Sequence, residues 1–213
     1  MKVALLGATG FVGSALLEEL LDRGHDVTAI VRNTGKLKER DHLTPVSGDV
    51  YDTTKLATLL RGHDAVISAF NPGWKNPNLY DDQVRGTISI IAAIKAAGVK
   101  RVLWVGGAGG LEISPGVRVV DNPGMPDWVK PGSLATINAL DQLRKESELD
   151  WSFLAPAQTL KPGERTGKFR TGEGQLLIDA EGISEISLQD FALAMVNELE
   201  HPTHIRQRFT VGY

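Results

Sequence analysis

Short, wholly apolar runs alternate along most of the chain with stretches in which apolar residues recur every three or four positions. Val3 to Leu6 is such a run, the pattern of a parallel strand covered on both faces. Beyond Gly7 to Gly13, the residues Ala15, Leu16, Leu17, Leu20 and Leu21 keep helical spacing until Gly24, a stop signal. Val27 to Val31 predicts a second strand and Leu43 to Val46 a third, leading into Gly48-Asp49-Val50. A helix over 53–60 ends at Gly62, Ala65 to Ile67 gives a fourth strand, and a long helix over 79–97 closes at Gly98. Val102 to Val105 is a fifth strand running into Gly106 to Gly110. A stretch rich in proline and glycine over 111–132 precedes a helix over 133–146 and a sixth strand, Trp151 to Leu154, stopped by Pro156. Alternating strands and helices with right-handed crossovers give an α/β, doubly wound, parallel sheet.

The last quarter changes character. Residues 168–170, 176–178 and 183–186 are short strand-like pieces among Gly172, Gly174 and Gly182. Ser187 caps a helix over 188–199 with Asp190 in its first turn, and Arg208 to Val211 reads as a closing strand. With no linker and no internal repeat, one domain over 1–213 is expected. Residues from about 157 onward form a small substrate-side extension of it, not an independent unit.

Composition narrows the partners. The 213 residues are 42% hydrophobic and 23% charged, with a formal charge of -3, so no basic footprint for nucleic acid is present. No cluster of Lys and Arg suits an anionic membrane surface. The absence of cysteine excludes disulfides, thiolate metal sites and cysteine nucleophiles. His201 and His204 straddle Pro202 and read as surface loop residues, so no metal site is expected. The apolar run after Met1-Lys2 ends at four residues, shorter than a signal-peptide core. No run approaches the roughly 20 apolar residues that cross a bilayer. The expected compartment is the cytoplasm.

The loop Gly7-Ala8-Thr9-Gly10-Phe11-Val12-Gly13 lies between a predicted strand and a predicted helix, and that context gives three glycines a physical task. Gly7 permits the tight turn, Gly10 lets main-chain amides approach a pyrophosphate, and Gly13 lets the helix lie close to the strand. The helix N-terminus then faces the phosphate charge. This run resembles the nucleotide loop of extended and atypical short-chain dehydrogenase/reductases. Val31-Arg32-Asn33, Gly48-Asp49-Val50, 64–69, 105–109, Leu143-Arg144 and 150–156 continue the resemblance in order. The stretches 162–167, 182–184 and 208–213 are similar to the bacterial NADH-flavin reductase group, related to biliverdin/flavin reductases and NmrA-like regulators.

The resemblance implies a Rossmann fold, NAD(P) binding and oxidoreductase activity, and it assigns roles along the loops. Gly7 to Gly13 would hold the pyrophosphate, and Asp49 and Val50 would flank the adenine. Ser68, Ala69 and Phe70 would run beside the ribose and pyrophosphate. Gly106 and Gly107 would lie near the nicotinamide, with Pro156, Ala157 and Gln158 close to its ring. An NAD site places a carboxylate after the second strand; here Arg32 and Asn33 stand there instead. A guanidinium matches a 2′-phosphate with a bidentate fork, so NADP(H) is preferred over NAD(H), which stays possible.

Members of the wider family that act on carbinols use a Tyr-x-x-x-Lys pair on a helix. In the helix over 133–146 the landmarks place Ser133 and Ile137 at those positions, and no Tyr-x-x-x-Lys is expected anywhere in the chain. Serine is a poor proton donor without a base, and isoleucine cannot activate it. Hydride transfer to a flavin or similar planar acceptor remains open, since such a ring delocalises charge and takes its proton from water. Flavin is then a substrate and not a prosthetic group, and no catalytic side chain is required. Acceptor-side candidates sit in loops beyond the strand ends: Asn71, Trp74, Met125, Trp128 and Arg165. A non-catalytic dinucleotide sensor of the NmrA-like type is the alternative; an epimerase or dehydratase is disfavoured by Ser133 and Ile137.

Overall fold

A computed structural model describes residues 1–213. In chain order the elements are β1 (Lys2–Leu6), α1 (Phe11–Asp22), β2 (Asp26–Val31), β3 (Leu43–Ser47), α2 (Thr53–Leu60), β4 (Ala65–Ser68), α3 (Leu79–Ala97) and β5 (Arg101–Val105). There follow β6 (Glu112–Ser114), β7 (Val117–Arg118), α4 (Lys130–Arg144), β8 (Asp150–Ala155), β9 (Thr159–Lys161), β10 (Arg170–Gly172), β11 (Glu185–Ser187), α5 (Leu188–Glu200) and β12 (Gln207–Gly212).

Eight strands form one sheet in the order β10-β12-β8-β5-β4-β1-β2-β3, parallel throughout except that β10 runs antiparallel to β12. This is the doubly wound Rossmann arrangement, with the strand order turning outward in both directions from β1 and β4. Alternate residues of each strand enter opposite layers. Val3 and Leu5 of β1 join the layer built with Leu16, Leu20 and Phe191, whereas Ala4 and Leu6 join the one built with Leu56, Ile90 and Leu140. Thus α1 and α5 cover one face, and α2, α3 and α4 the other. Each leucine or isoleucine so buried contributes roughly 1.5–3 kcal/mol relative to exposure.

The C-terminal extension does not stand apart. Its α5 supplies Phe191 and Met195 to the first layer, and β12 pairs directly with β8. The strand-like piece expected over 168–170 is displaced to β10, the one over 176–178 is irregular, and β9 pairs unannounced with β11. Helix α4 begins at Lys130 with Pro131 in its first turn, three residues ahead of its apolar pattern. No helix is long and apolar enough to cross a membrane.

At the amino-terminal edge of the sheet the charged groups satisfy one another. Glu198 is 3% exposed and accepts from Arg101, Ser152, Thr203 and His204. His204, expected as a surface residue, stacks on Phe209 with ring centroids 4.1 Å apart. Nearby, Glu19 accepts from Arg23 and Arg165, Arg23 reaches Glu200, and Glu200 bonds His25 at 2.8 Å. Burial pushes the Glu198 and Glu200 carboxyls up, but their hydrogen bonds outweigh it and hold both below the ordinary 4.5. Arg165 holds Glu19 down in the same way, against its burial.

Candidate functional site

The opposite, carboxyl-terminal edge opens into a cleft of about 1060 Å³. Its floor is main chain. Gly7 sits at φ +83°, a left-handed conformation that favours glycine, and a Cβ there would meet the Ala69 carbonyl oxygen at 2.6 Å. A Cβ on Gly13 would stand 2.0 Å from the Gly7 oxygen, so the first turn of α1 presses on the loop with no room for a side chain. Gly10 caps α1 without a side-chain acceptor. The first amides of the helix are therefore left for an external partner. This is the cradle a diphosphate requires: bare backbone, open amides and a helix N-terminus. Gly7, Thr9, Gly10, Phe11 and Val12 line it, while Ala8 and Gly13 are buried outside the lining.

To one side, Asp49, Val50 and Tyr51 line the cleft after β3. Their loop is fixed from α3, where the Ser89 hydroxyl donates to the Val50 carbonyl at 2.6 Å. Tyr51 packs edge-on to Phe70 at 5.9 Å, with the Arg85 guanidinium 4.2 Å over its ring. Beyond β2, Arg32 and Lys36 both line the cleft and form no ion pair. Asn33 does not line it: its side chain turns to accept from the Gly35 amide at 3.0 Å.

On the other side, Gly106 and Gly107 follow β5, and Pro156, Ala157 and Gln158 follow β8; all five line the cleft. These glycines also serve packing. A Cβ on Gly106 would meet the Phe153 ring at 2.2 Å, and one on Gly107 the Thr136 hydroxyl at 2.9 Å. Ala69, Phe70 and Asn71 continue the wall after β4. Ser68 is 1% exposed and lies below it, outside the lining.

The acceptor-side candidates separate. Trp74 and Trp128 meet edge to face at 6.0 Å over the cleft, 53% and 67% exposed, and Met125 lines the same wall. Trp74 seats on Gly132, where a Cβ would meet its ring at 2.6 Å. Arg165 belongs elsewhere. Its guanidinium forks onto Glu19 of α1 at 2.7 and 2.8 Å, outside the cleft, because a buried carboxylate holds a guanidinium more strongly than an open loop does.

Ser133 lines the cleft from α4, and Ile137 packs toward Gly110. The expectation that Tyr-x-x-x-Lys occurs nowhere is corrected: the spacing occurs once, at Tyr51 and Lys55. It spans the β3–α2 junction. Lys55 is exposed on α2, the Tyr51 hydroxyl donates to the Asp82 carbonyl at 3.3 Å, and burial raises the phenol pKa. An activated phenol would require the reverse shift. Sequence reasoning also missed Lys36, Tyr51, Gln83 and Thr136 as lining residues. Lys36, four positions past Arg32, was within reach of a search for a second cation.

A family model described as NAD(P)H-binding matches residues 7–202, and the chain belongs to that family. The Bacillus subtilis protein YwnB is 38% identical over 214 residues, spanning 99% of this chain and 98% of its own. A Bacteroides thetaiotaomicron structure, provisionally termed an epimerase, superposes with a TM-score of 0.94 at 47% identity, covering 100% of this chain and 96% of that one. A Streptococcus pneumoniae structure, provisionally termed an NADH-flavin reductase, gives 0.87 at 34% identity, covering 100% and 99%. The resemblance carried by the glycine loop and the C-terminal motifs is borne out.

Proposed function

We propose, from its membership of the NAD(P)H-binding family, that the protein is a reductase that uses NADP(H) in preference to NAD(H) and serves a planar acceptor of flavin type, bound as a substrate. When bound, the reduced dinucleotide supplies a hydride, and the acceptor ring takes that hydride together with a proton from water. The chain's own residues bind, orient and exclude water. The bare turn from Gly7 to Gly10 and the unpaired amides of the first turn of α1 hold the diphosphate, Arg32 with Lys36 meets a 2′-phosphate, and Asp49, Val50 and Tyr51 bound the adenine. Gly106 and Gly107 give the ring close access to the backbone, and Pro156 to Gln158 wall it from the far side. Trp74, Trp128 and Met125 offer an apolar face to the acceptor.

One observation carries the reading: a single cleft joins the glycine turn to the tryptophan pair, while Ser133 and Ile137 occupy the acid and cation positions of α4. Epimerase chemistry at a carbinol would need a tyrosine and a lysine at those two positions, so the name borne by the Bacteroides relative is not carried over. The test is direct. Purified protein mixed with NADPH and FMN should consume the nicotinamide absorbance band catalytically. Tight binding of NADPH with no turnover on FMN or FAD would contradict the reductase and favour a dinucleotide sensor.

A further inference from the structure

Six buried side-chain polar atoms lack a hydrogen-bond partner, and they belong to Ser68, Gln83, Arg101, Asn138, Trp151 and Thr210. Of these residues, only Gln83 lines the cleft. It stands in the second turn of α3, 3% exposed. Its Nε2 donates to the Phe70 carbonyl at 3.2 Å, which fixes the amide's orientation, since the flipped amide would set oxygen against oxygen. The atom left without a partner is therefore the acceptor, Oε1.

The acceptor is also held in place. One turn on, Gly86 receives the Phe70 ring so closely that a Cβ would lie 2.3 Å from it, and Thr87 donates to the Gln83 carbonyl at 2.9 Å. The Phe70 ring seated on Gly86 and the Gln83–Phe70 hydrogen bond together tie α3 to the segment after β4. An unpartnered, desolvated acceptor on a residue of the cleft lining is stabilised by any molecule that brings it an O–H or N–H.

We infer that Gln83 is a specificity-determining residue whose Oε1 accepts a hydrogen bond from the molecule bound in the cleft. The inference rests on the reading of the cleft as a dinucleotide and acceptor site. The donor is an O–H or N–H, brought either by the dinucleotide (a ribose hydroxyl or the carboxamide) or by the acceptor (an imide N–H). Both sources share one chemistry and separate in the assay.

The experiment measures two affinities by calorimetry in wild type and Gln83→Met: NADP+ alone, then FMN in saturating NADP+. Methionine keeps the length and apolar contacts but replaces the amide oxygen with a thioether, a far weaker acceptor. A loss of about tenfold or more in NADP+ affinity assigns the donor to the dinucleotide, and the same loss confined to FMN assigns it to the acceptor. Affinities within about twofold of wild type for both would overturn the role of Gln83 while leaving the cleft reading intact. Failure of wild type itself to bind NADP+ would overturn both. Should Gln83→Met not fold, wild type still decides. The Gln83 side-chain amide resonances should shift on saturation with NADP+ or with FMN, and an unmoved signal under both contradicts the proposal.

Discussion

The two edges of the sheet treat polar groups in opposite ways. At the amino-terminal edge, Glu198, Arg101, Ser152 and His204 close a buried network, and Glu19 is gripped by Arg23 and Arg165 together. At the carboxyl-terminal edge Arg32 and Lys36 have no carboxylate, Gln83 has an idle acceptor, and two tryptophans stand more than half exposed. The same chain pairs its buried carboxylates at one edge and leaves two cations without a carboxylate at the other, where the proposed ligand would arrive. Unpaired cations beside exposed aromatic rings distinguish the cleft edge from the closed one.

The contrast can be broken first at the closed edge. Glu198→Ala leaves Arg101 buried without its counterion and should cost about 3–5 kcal/mol in denaturant unfolding. Dinucleotide affinity should stay within about twofold, because the network lies at the far end of the sheet. Comparable losses of affinity and stability would mean that the two edges are not separable. At the open edge, Gly13→Ala forces a methyl into the Gly7 carbonyl and should cost roughly 2–4 kcal/mol. It should also abolish measurable NADPH binding, since the cradle itself is displaced.

Acid sharpens the comparison further. The folded-state pKa values of Glu19, Glu198 and Glu200 all lie below 4.5, so their contribution to stability is fully present above that pH. It is lost as pH falls through the depressed folded values. A melting-temperature profile should drop steeply below about pH 4.5 in wild type and less steeply in Glu198→Ala; identical slopes would remove Glu198 from the account.

Smaller effects are expected from single side chains on the cleft. Arg32→Ala should weaken NADPH by about tenfold, with NADH nearly unchanged, if the guanidinium meets a 2′-phosphate. Equal losses for both cofactors would leave it a mere adenine neighbour. Trp128→Ala should alter stability by no more than about 0.5 kcal/mol, as befits a residue 67% exposed, and raise the KM for FMN a few-fold. An unchanged KM would reduce the Trp74–Trp128 pair to loop packing.

Much of this was legible before any coordinates. Helix α3 spans 79–97 as its periodicity indicates, because Asp81 and Asp82 favour its start and Gly98 at φ +77° ends it. Ser187 caps α5 as read, its Oγ accepting from the Asp190 amide at 2.9 Å. The glycine loop is equally local: strand, turn and helix follow one another without a break from Lys2 to Asp22, and the steric demand falls on the glycines themselves. What stayed hidden depends on distant partners. Arg165 answers to Glu19 across 146 positions, so its loop placement said nothing of its side chain. Gln83 looks like any helical glutamine until the Phe70 carbonyl claims its nitrogen. The three-residue pair β9 and β11 is too short to carry a period.

The central claim is that bare backbone between β1 and α1 holds the diphosphate of a nicotinamide dinucleotide. Calorimetric titration of the wild-type protein with NADPH and then NADH tests it most directly. Saturable one-to-one binding of both, tighter for NADPH, is the expected result; the absence of a saturable isotherm with either would contradict it.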